Sequence, residues 1–328
     1  MIISRTPFRI SFFGGGTDFP DFFRQGGGAV LAATIDKYCY LSIHRLAPLF
    51  NHRFRASYSQ TESVLHPSEF RHPLIRETLL LLNQQDGIEI AHTADLPGRT
   101  GLGTSSSFTV GLLHALQAFH GRRCTPEELA RQAIAVERSR VGDAGGWQDQ
   151  YEAAYGGFHR YDFNPDDTVR VGDPAISDTR LHELEDHLML FYLGAERSSD
   201  SILRAQEQRT RTNESTLRTM RQMVDHAEAI LAGTGPLGEF GDLLHESWQL
   251  KKSLSVGIST PQIDLAYATA RAAGARGGKL LGAGGRGFLC LCTEPDRQPS
   301  VRSALRDLAE VRFRFSSKGS RIIFTDHE

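Results

Sequence analysis

The segment Pro97-Gly98-Arg99-Thr100-Gly101-Leu102-Gly103-Thr104-Ser105-Ser106-Ser107 comes close to the GxxxxGK[ST] phosphate loop, but Thr104 stands where that pattern requires lysine. Without the lysine a Walker site loses its main charge, so a Walker NTPase is excluded. The rest of the loop's physics survives. Glycines let backbone N–H groups approach an anion, and a helix opening after them points its positive end at it. Thr104, Ser105, Ser106 and Ser107 add hydroxyls. Phe108, Leu112, Leu113, Leu116 and Phe119 follow at helical spacing.

Two more glycine-rich segments flank this one. Arg9 to Asp18 contains Gly14-Gly15-Gly16-Thr17-Asp18, a cation and a carboxylate beside glycines that permit close backbone approach. Such a carboxylate either accepts hydrogen bonds from sugar hydroxyls or is a solvated turn acid. Gly277 to Gly287 contains a formal GxGxxG at Gly282, Gly284 and Gly287. A dinucleotide fingerprint needs a strand before it and a helix after it. Here the glycines precede the strand Phe288 to Cys292, so a glycine hairpin packed on another loop fits better. Between these loops, Glu137 closes a helix and Asp149 sits in Gly145-Gly146-Trp147-Gln148-Asp149-Gln150.

Further along the chain, Ile2-Ile3 and Phe8 to Phe13 read as strands, as do Ala29 to Ile35 and Tyr38 to Ile43, joined near Asp36-Lys37. Residues 46–72 show no clean period. A helix is expected from Pro73 to Gln84 and a strand at Ile88 to Ile90. Thr125-Pro126-Glu127-Glu128 is a capping box opening a helix that ends near Val141-Gly142. The second half reads as a strand over His187 to Leu193 and a polar helical stretch from Ser199 to Leu231 broken near Asn213. Helices follow over 237–253, 261–273 and 297–309, with end strands over 311–315 and 321–325. The boundary between two domains is expected near residue 180.

The 328 residues suffice for two domains, and 40% apolar with 23% charged residues is ordinary for a globular protein. A net charge of -2 gives no reason to expect nucleic acid or anionic membrane as partner. The 13 histidines are scattered, so a zinc site is not expected. Cys39, Cys124, Cys290 and Cys292 form no CxxC, and the N-terminus lacks a signal-peptide pattern. Free thiols in a reducing cytoplasm are the expectation.

Taken in order, the three loops resemble the motifs of the GHMP kinases: Arg5 to Asp18 the first, Pro97 to Ser107 the phosphate loop, and Leu280 to Phe288 the C-terminal glycine motif. The form RTPxRISFxGGGTD, with Gly28-Ala29-Val30-Leu31, Ile35-Asp36-Lys37-Tyr38 and the segment around Asp149, resembles the D-glycero-α-D-manno-heptose 7-phosphate kinase branch. Fucokinase-like and other sugar-1-kinases share parts of it. The resemblance implies an α+β, two-domain fold: residues 1–180 like domain 2 of ribosomal protein S5, and residues 181–328 a ferredoxin-like sandwich. It implies ATP and Mg²⁺ as cofactors, a small sugar or sugar phosphate as partner, and a monomer or homodimer.

Carried over to this sequence, the resemblance makes Asp149 the catalytic carboxylate and pairs Arg9 with it or with the transferring phosphoryl group. Pro97, Gly98, Gly101, Leu102, Gly103, Thr104, Ser105, Ser106 and Ser107 would cradle ATP. Ser105 and Glu137 would hold Mg²⁺. Gly15, Gly16, Thr17, Asp18, Gly146, Gly284 and Gly285 would contact the sugar. Arg5, Lys37, Arg99 and Arg286 are candidates for a substrate phosphate. Two other readings share the fold, a phosphorylating decarboxylase and a sugar- and ATP-binding sensor without chemistry. Retention of Asp149, Glu137 and Ser105 favours a working kinase.

Overall fold

The computed structural model describes residues 1–194 and 200–326. Its N-terminal part is built on two long strands, β1 (Ile2–Phe13) and β2 (Gly28–Arg45), paired antiparallel. Each was expected as two strands. The register between them shifts at Pro7/Phe8, opposite Asp36–Lys37, so the interruption seen in the sequence is a bulge within continuous strands. The unpatterned region holds β3 (Phe54–Ser57) and β4 (Thr61–Val64), each too short to display a period. The next strands are β5 (Ile88–Ala94), β6 (Phe158–Phe163) and β7 (Val169–Gly172). β2 is long enough to pair β5 along its second half and β6 along its first.

The second sheet is β8 (Leu188–Tyr192), β9 (Gly277–Leu280), β10 (Phe288–Cys292) and β11 (Ala309–Glu310), in the order β11-β8-β10-β9. The last strand, β12 (Arg321–Thr325), returns to the first sheet and pairs with β1. The chain therefore crosses back over the division expected near residue 180. The strand expected over 311–315 is absent apart from a bridge between Phe315 and Ile35.

The helices are α1 (Pro20–Gly26), α2 (Pro73–Leu81), α3 (Thr104–Phe119), α4 (Pro126–Ile134), α5 (Gln148–Tyr155), α6 (Asp178–His187), α7 (Asp200–Gln208), α8 (Glu214–Ala232), α9 (Gly238–Ser253), α10 (Pro261–Ala272) and α11 (Gln298–Ala304). The helix expected at 297–309 is thus shorter, and the break near Asn213 is real. The expected helix start at Ser199 lies outside the described residues. The α3 stripe is buried as its spacing predicts: Leu112, Leu113 and Leu116 are inaccessible. The capping box forms, with the Thr125 hydroxyl accepting from the Glu128 amide at 3.2 Å and the Glu128 carboxylate accepting from the Thr125 amide at 2.7 Å.

One core joins the two parts. Phe12 and Phe13 of β1 meet Phe240 of α9 edge-on, at ring separations of 5.6 and 5.1 Å. Such aromatic contacts add about 0.5–1.5 kcal/mol each beyond area burial. Among the described residues no helix is long and apolar enough to cross a membrane. The four cysteines are free.

Candidate active site

The site starts from Arg9, a buried cation in the middle of β1. Its guanidinium holds the Asp149 carboxylate through Nη2, at 2.8 Å to both oxygens, and through Nε at 3.0 Å. Nη1 donates to the Gly101 carbonyl. Nε also lies 3.0 Å from Oε2 of buried Glu152. One planar group thus fixes the first turn of α5, the phosphate loop and β1 together. Burial works against the Arg9 charge, but Asp149 and Glu152 overcome it and raise its pKa. Asp149 and Glu152 are three residues apart on α5, so they share a helix face. Burial raises the Glu152 pKa well above the ordinary value, opposed by Arg9.

Gly103 precedes α3 in a left-handed conformation, φ 70°, and no side chain caps the helix. The first-turn amides are therefore open to an external acceptor. Thr104 turns its hydroxyl to the Arg99 amide at 3.1 Å. Ser105 is exposed on the cleft wall. Ser106 donates to Glu137 Oε2 at 3.0 Å, and Gln150 donates to the same oxygen at 2.6 Å. Glu137 was read as the end of an α-helix. It lies instead in a π-helical turn, Ala135–Val141, which continues α4 with wider winding. Its other oxygen, Oε1, is buried with no partner. Burial raises the Glu137 pKa, opposed chiefly by Arg138. A buried carboxylate with one unsatisfied oxygen, beside the Ser106 hydroxyl, suits a hard cation that keeps part of its water.

Across the cleft, Asp18 is buried and accepts from the amides of Gly16 at 2.9 Å and Gln148 at 3.1 Å. Burial raises its pKa and these amides pull it back. A Cβ at Gly146 would lie 1.9 Å from Asp18 Oδ2, so glycine is required where the two loops meet. Arg138 donates to the carbonyls of Asp143, Ala144 and Gly146 and shapes that loop rather than offering its charge to a ligand.

Most of these groups face one cleft of about 1140 Å³; Glu152 and Gln150 lie behind its lining. Arg9, Asp149, Glu137, Asp18, Gly15, Gly16, Gly98, Gly101, Gly103, Thr104, Ser105, Ser106, Gly146 and Gly284 line it. Several expected residues do not. The Ser107 hydroxyl is buried on the Pro7 carbonyl at 2.7 Å, and Thr17 bonds the carbonyls of Gly14 and Ala29. The Leu102 side chain is core, and Pro97 and Gly285 lie outside the lining. Of the phosphate candidates, Arg99 and Arg286 line the cleft. Arg5 stacks on Tyr38 and Lys37 pairs with Asp36, both away from it. Sequence reasoning missed Glu152, Gln148, Lys251 and Lys279. Glu152 lies three residues after Asp149, a spacing that does not by itself mark it out. Lys279 lay inside the glycine-rich motif.

Known proteins show the family to which this fold belongs. The N-terminal domain of the GHMP kinases matches residues 73–157 and their C-terminal domain matches residues 227–310. The chain belongs to the GHMP kinases and has their fold, and is a phosphotransferase with an alcohol group as acceptor. It is 28% identical to a D-glycero-alpha-D-manno-heptose 7-phosphate kinase of Campylobacter jejuni over 93% of each chain. It is 26% identical to the bifunctional fucokinase/GDP-fucose pyrophosphorylase of Arabidopsis thaliana, over 93% of this chain and 31% of that one. A crystal structure of a D-glycero-D-manno-heptose 1-phosphate kinase from Bacteroides thetaiotaomicron superposes with a TM-score of 0.81 at 26% identity, covering all of both chains.

Proposed function

We propose that this kinase transfers the γ-phosphate of ATP to the anomeric 1-hydroxyl of D-glycero-α-D-manno-heptose 7-phosphate, giving the 1,7-bisphosphate used in GDP-heptose and envelope polysaccharide synthesis in the cytoplasm. The observation that carries the reading is the bidentate Arg9–Asp149 pair, tied through the same guanidinium to the phosphate loop. Phosphoryl transfer asks a protein mainly to position groups and neutralise charge. Asp149 would orient the sugar hydroxyl and accept its proton, while Arg9 fixes the carboxylate's direction. The open amides of α3 would receive the triphosphate. Tyr58, His72, His92 and Phe108 offer an apolar, aromatic end to the cleft for the adenine. Burial pushes the His72 pKa down to about 4, so that ring is neutral at pH 7. Asp18 and the glycines around it would face the sugar.

Mg²⁺ would be held by Glu137 with Ser105 and Ser106, where it would offset phosphate charge. Glu137→Gln should raise the Mg²⁺ needed for half-maximal turnover about tenfold or more. A second readout needs no turnover. The folded-state pKa of Glu137 is raised, so its contribution to stability is present at low pH and lost as pH rises. Without metal, the Tm of Glu137→Gln should gain on wild type from about pH 4 to 7.

A coupled ADP-release assay with heptose 7-phosphate, free heptose, mannose, fucose and galactose tests the substrate. Heptose 7-phosphate should give the highest kcat/KM. Preference for an unphosphorylated sugar would transfer the assignment to a fucokinase-like or free-heptose kinase, the alternative supported by the Arabidopsis relative.

A further inference from the structure

Most of the donors of Arg9 are already committed within the protein. Asp149, Glu152 and the Gly101 carbonyl engage its three nitrogens. Besides Arg99 and Arg286, two buried lysines border the cleft. Lys251, near the end of α9, and Lys279, on β9, both line the cleft although they are 9% and 3% exposed. Lys251 donates to the carbonyls of Leu280 (3.1 Å) and Gly282, using two of its three N–H groups. Lys279 donates to the Phe12 carbonyl at 2.8 Å. Among the described residues, neither has a carboxylate within ion-pair distance.

Buried ammonium groups without a counter-charge are costly. Burial, then Lys279, then Arg9, pull the Lys251 pKa well below the ordinary value, with Asp149 opposing. Burial and Arg9 bring Lys279 down to about 8. The packing tolerates this strain on the cleft side, next to the reacting groups. The Leu280–Gly282 segment that binds Lys251 also touches the phosphate loop: a Cβ at Gly282 would lie 2.3 Å from the Gly101 Cα.

Resting on the kinase reading of the same cleft, we infer that Lys251, backed by Lys279, is an anion-receiving point that binds a phosphoryl group during turnover. That group is either the phosphoryl being transferred or a phosphate ester already on the sugar. Both offer dianionic oxygens to an ammonium that lacks a counter-charge.

The test compares wild type with Lys251→Met and Lys279→Met. Kinetics are measured with heptose 7-phosphate and free heptose, and affinity for ADP and for a non-hydrolysable ATP analogue by calorimetry. Methionine fills the same space and removes the buried charge, which offsets the lost bonds to the Leu280, Gly282 and Phe12 carbonyls, so Tm should stay near that of wild type. If the ligand is the transferred group, kcat falls about 10–100-fold with both sugars, and the ATP analogue weakens while ADP does not. If it is the sugar's own phosphate, the loss is confined to heptose 7-phosphate and both nucleotides bind as before. Wild-type behaviour in both variants would overturn the inference, as would an equal loss for every ligand with a falling Tm. Should wild type turn over none of these sugars, the substrate reading fails, while the paired nucleotide affinities still judge the lysine.

Discussion

Asp149→Asn should bring turnover down by about 10²–10⁴-fold while leaving ATP affinity within about threefold and the fold intact. The expectation follows from what Arg9 touches. Asparagine keeps the shape and one acceptor oxygen but cannot take a proton from the sugar hydroxyl. The guanidinium does not lose its only counter-charge, because Glu152 stays beside Nε. The phosphate loop also keeps its link through the Gly101 carbonyl. Arg9→Met gives the contrast. It strands Glu152, 1% exposed, in the core, and breaking a buried pair in this way costs about 3–5 kcal/mol. One variant should therefore be stable and inactive, the other inactive and unstable. Calorimetry of ATP binding, thermal unfolding and single-turnover phosphoryl transfer separate them. Near-normal transfer in Asp149→Asn would remove the carboxylate from the chemistry.

The sequence revealed local signals and hid long-range ones. The three glycine-rich segments, the capping box and the α3 stripe each depend on residues within a few positions of one another, and each appears where expected. Even the pause at Asp36–Lys37 was a true signal, of a bulge rather than a strand end. The return of β12 to β1 is a pairing across more than 300 residues that no local pattern encodes. The carboxylate proposed as catalytic was named by resemblance; the residues packed around it were not. Glu152 reads as one more acid on a short helix. Lys251 sits beside Lys252 at the end of an amphipathic helix, where a lysine is by default solvated. Only burial distinguishes them: Lys251 is inside the cleft, whereas Lys252 reaches out to Asp264 at 3.4 Å. The hydroxyl run likewise looked uniform, yet Ser105, Ser106 and Ser107 point to the cleft, to Glu137 and to Pro7, because a helix turns each successive residue by about 100°.

Two glycines of that same run separate phosphate binding from loop packing. Gly98 has no atom within 4 Å of an added Cβ, whereas at Gly101 the Cβ would lie 2.3 Å from the Leu281 carbonyl oxygen. Gly101 also has φ 81°, which an L side chain adopts at a cost of about 1–2 kcal/mol. The obstacle is backbone, and it belongs to the C-terminal glycine segment, so alanine there must push the two motifs apart. They are joined nearby by the Phe288 amide, which donates to the Thr100 carbonyl at 3.2 Å. The same displacement would drag the Gly101 carbonyl off Arg9 and so disturb Asp149. Gly101→Ala should therefore lose about 100-fold or more in kcat/KM for ATP, the scale expected for a misplacement of about 1 Å at a reacting centre. Gly98→Ala should stay within about twofold. Steady-state kinetics with ATP varied, beside thermal unfolding of both variants, provide the comparison. Equal behaviour of the two variants would mean that the loop binds nucleotide without leaning on residues 281–288, and the interlock between the halves of the protein would have no part in catalysis.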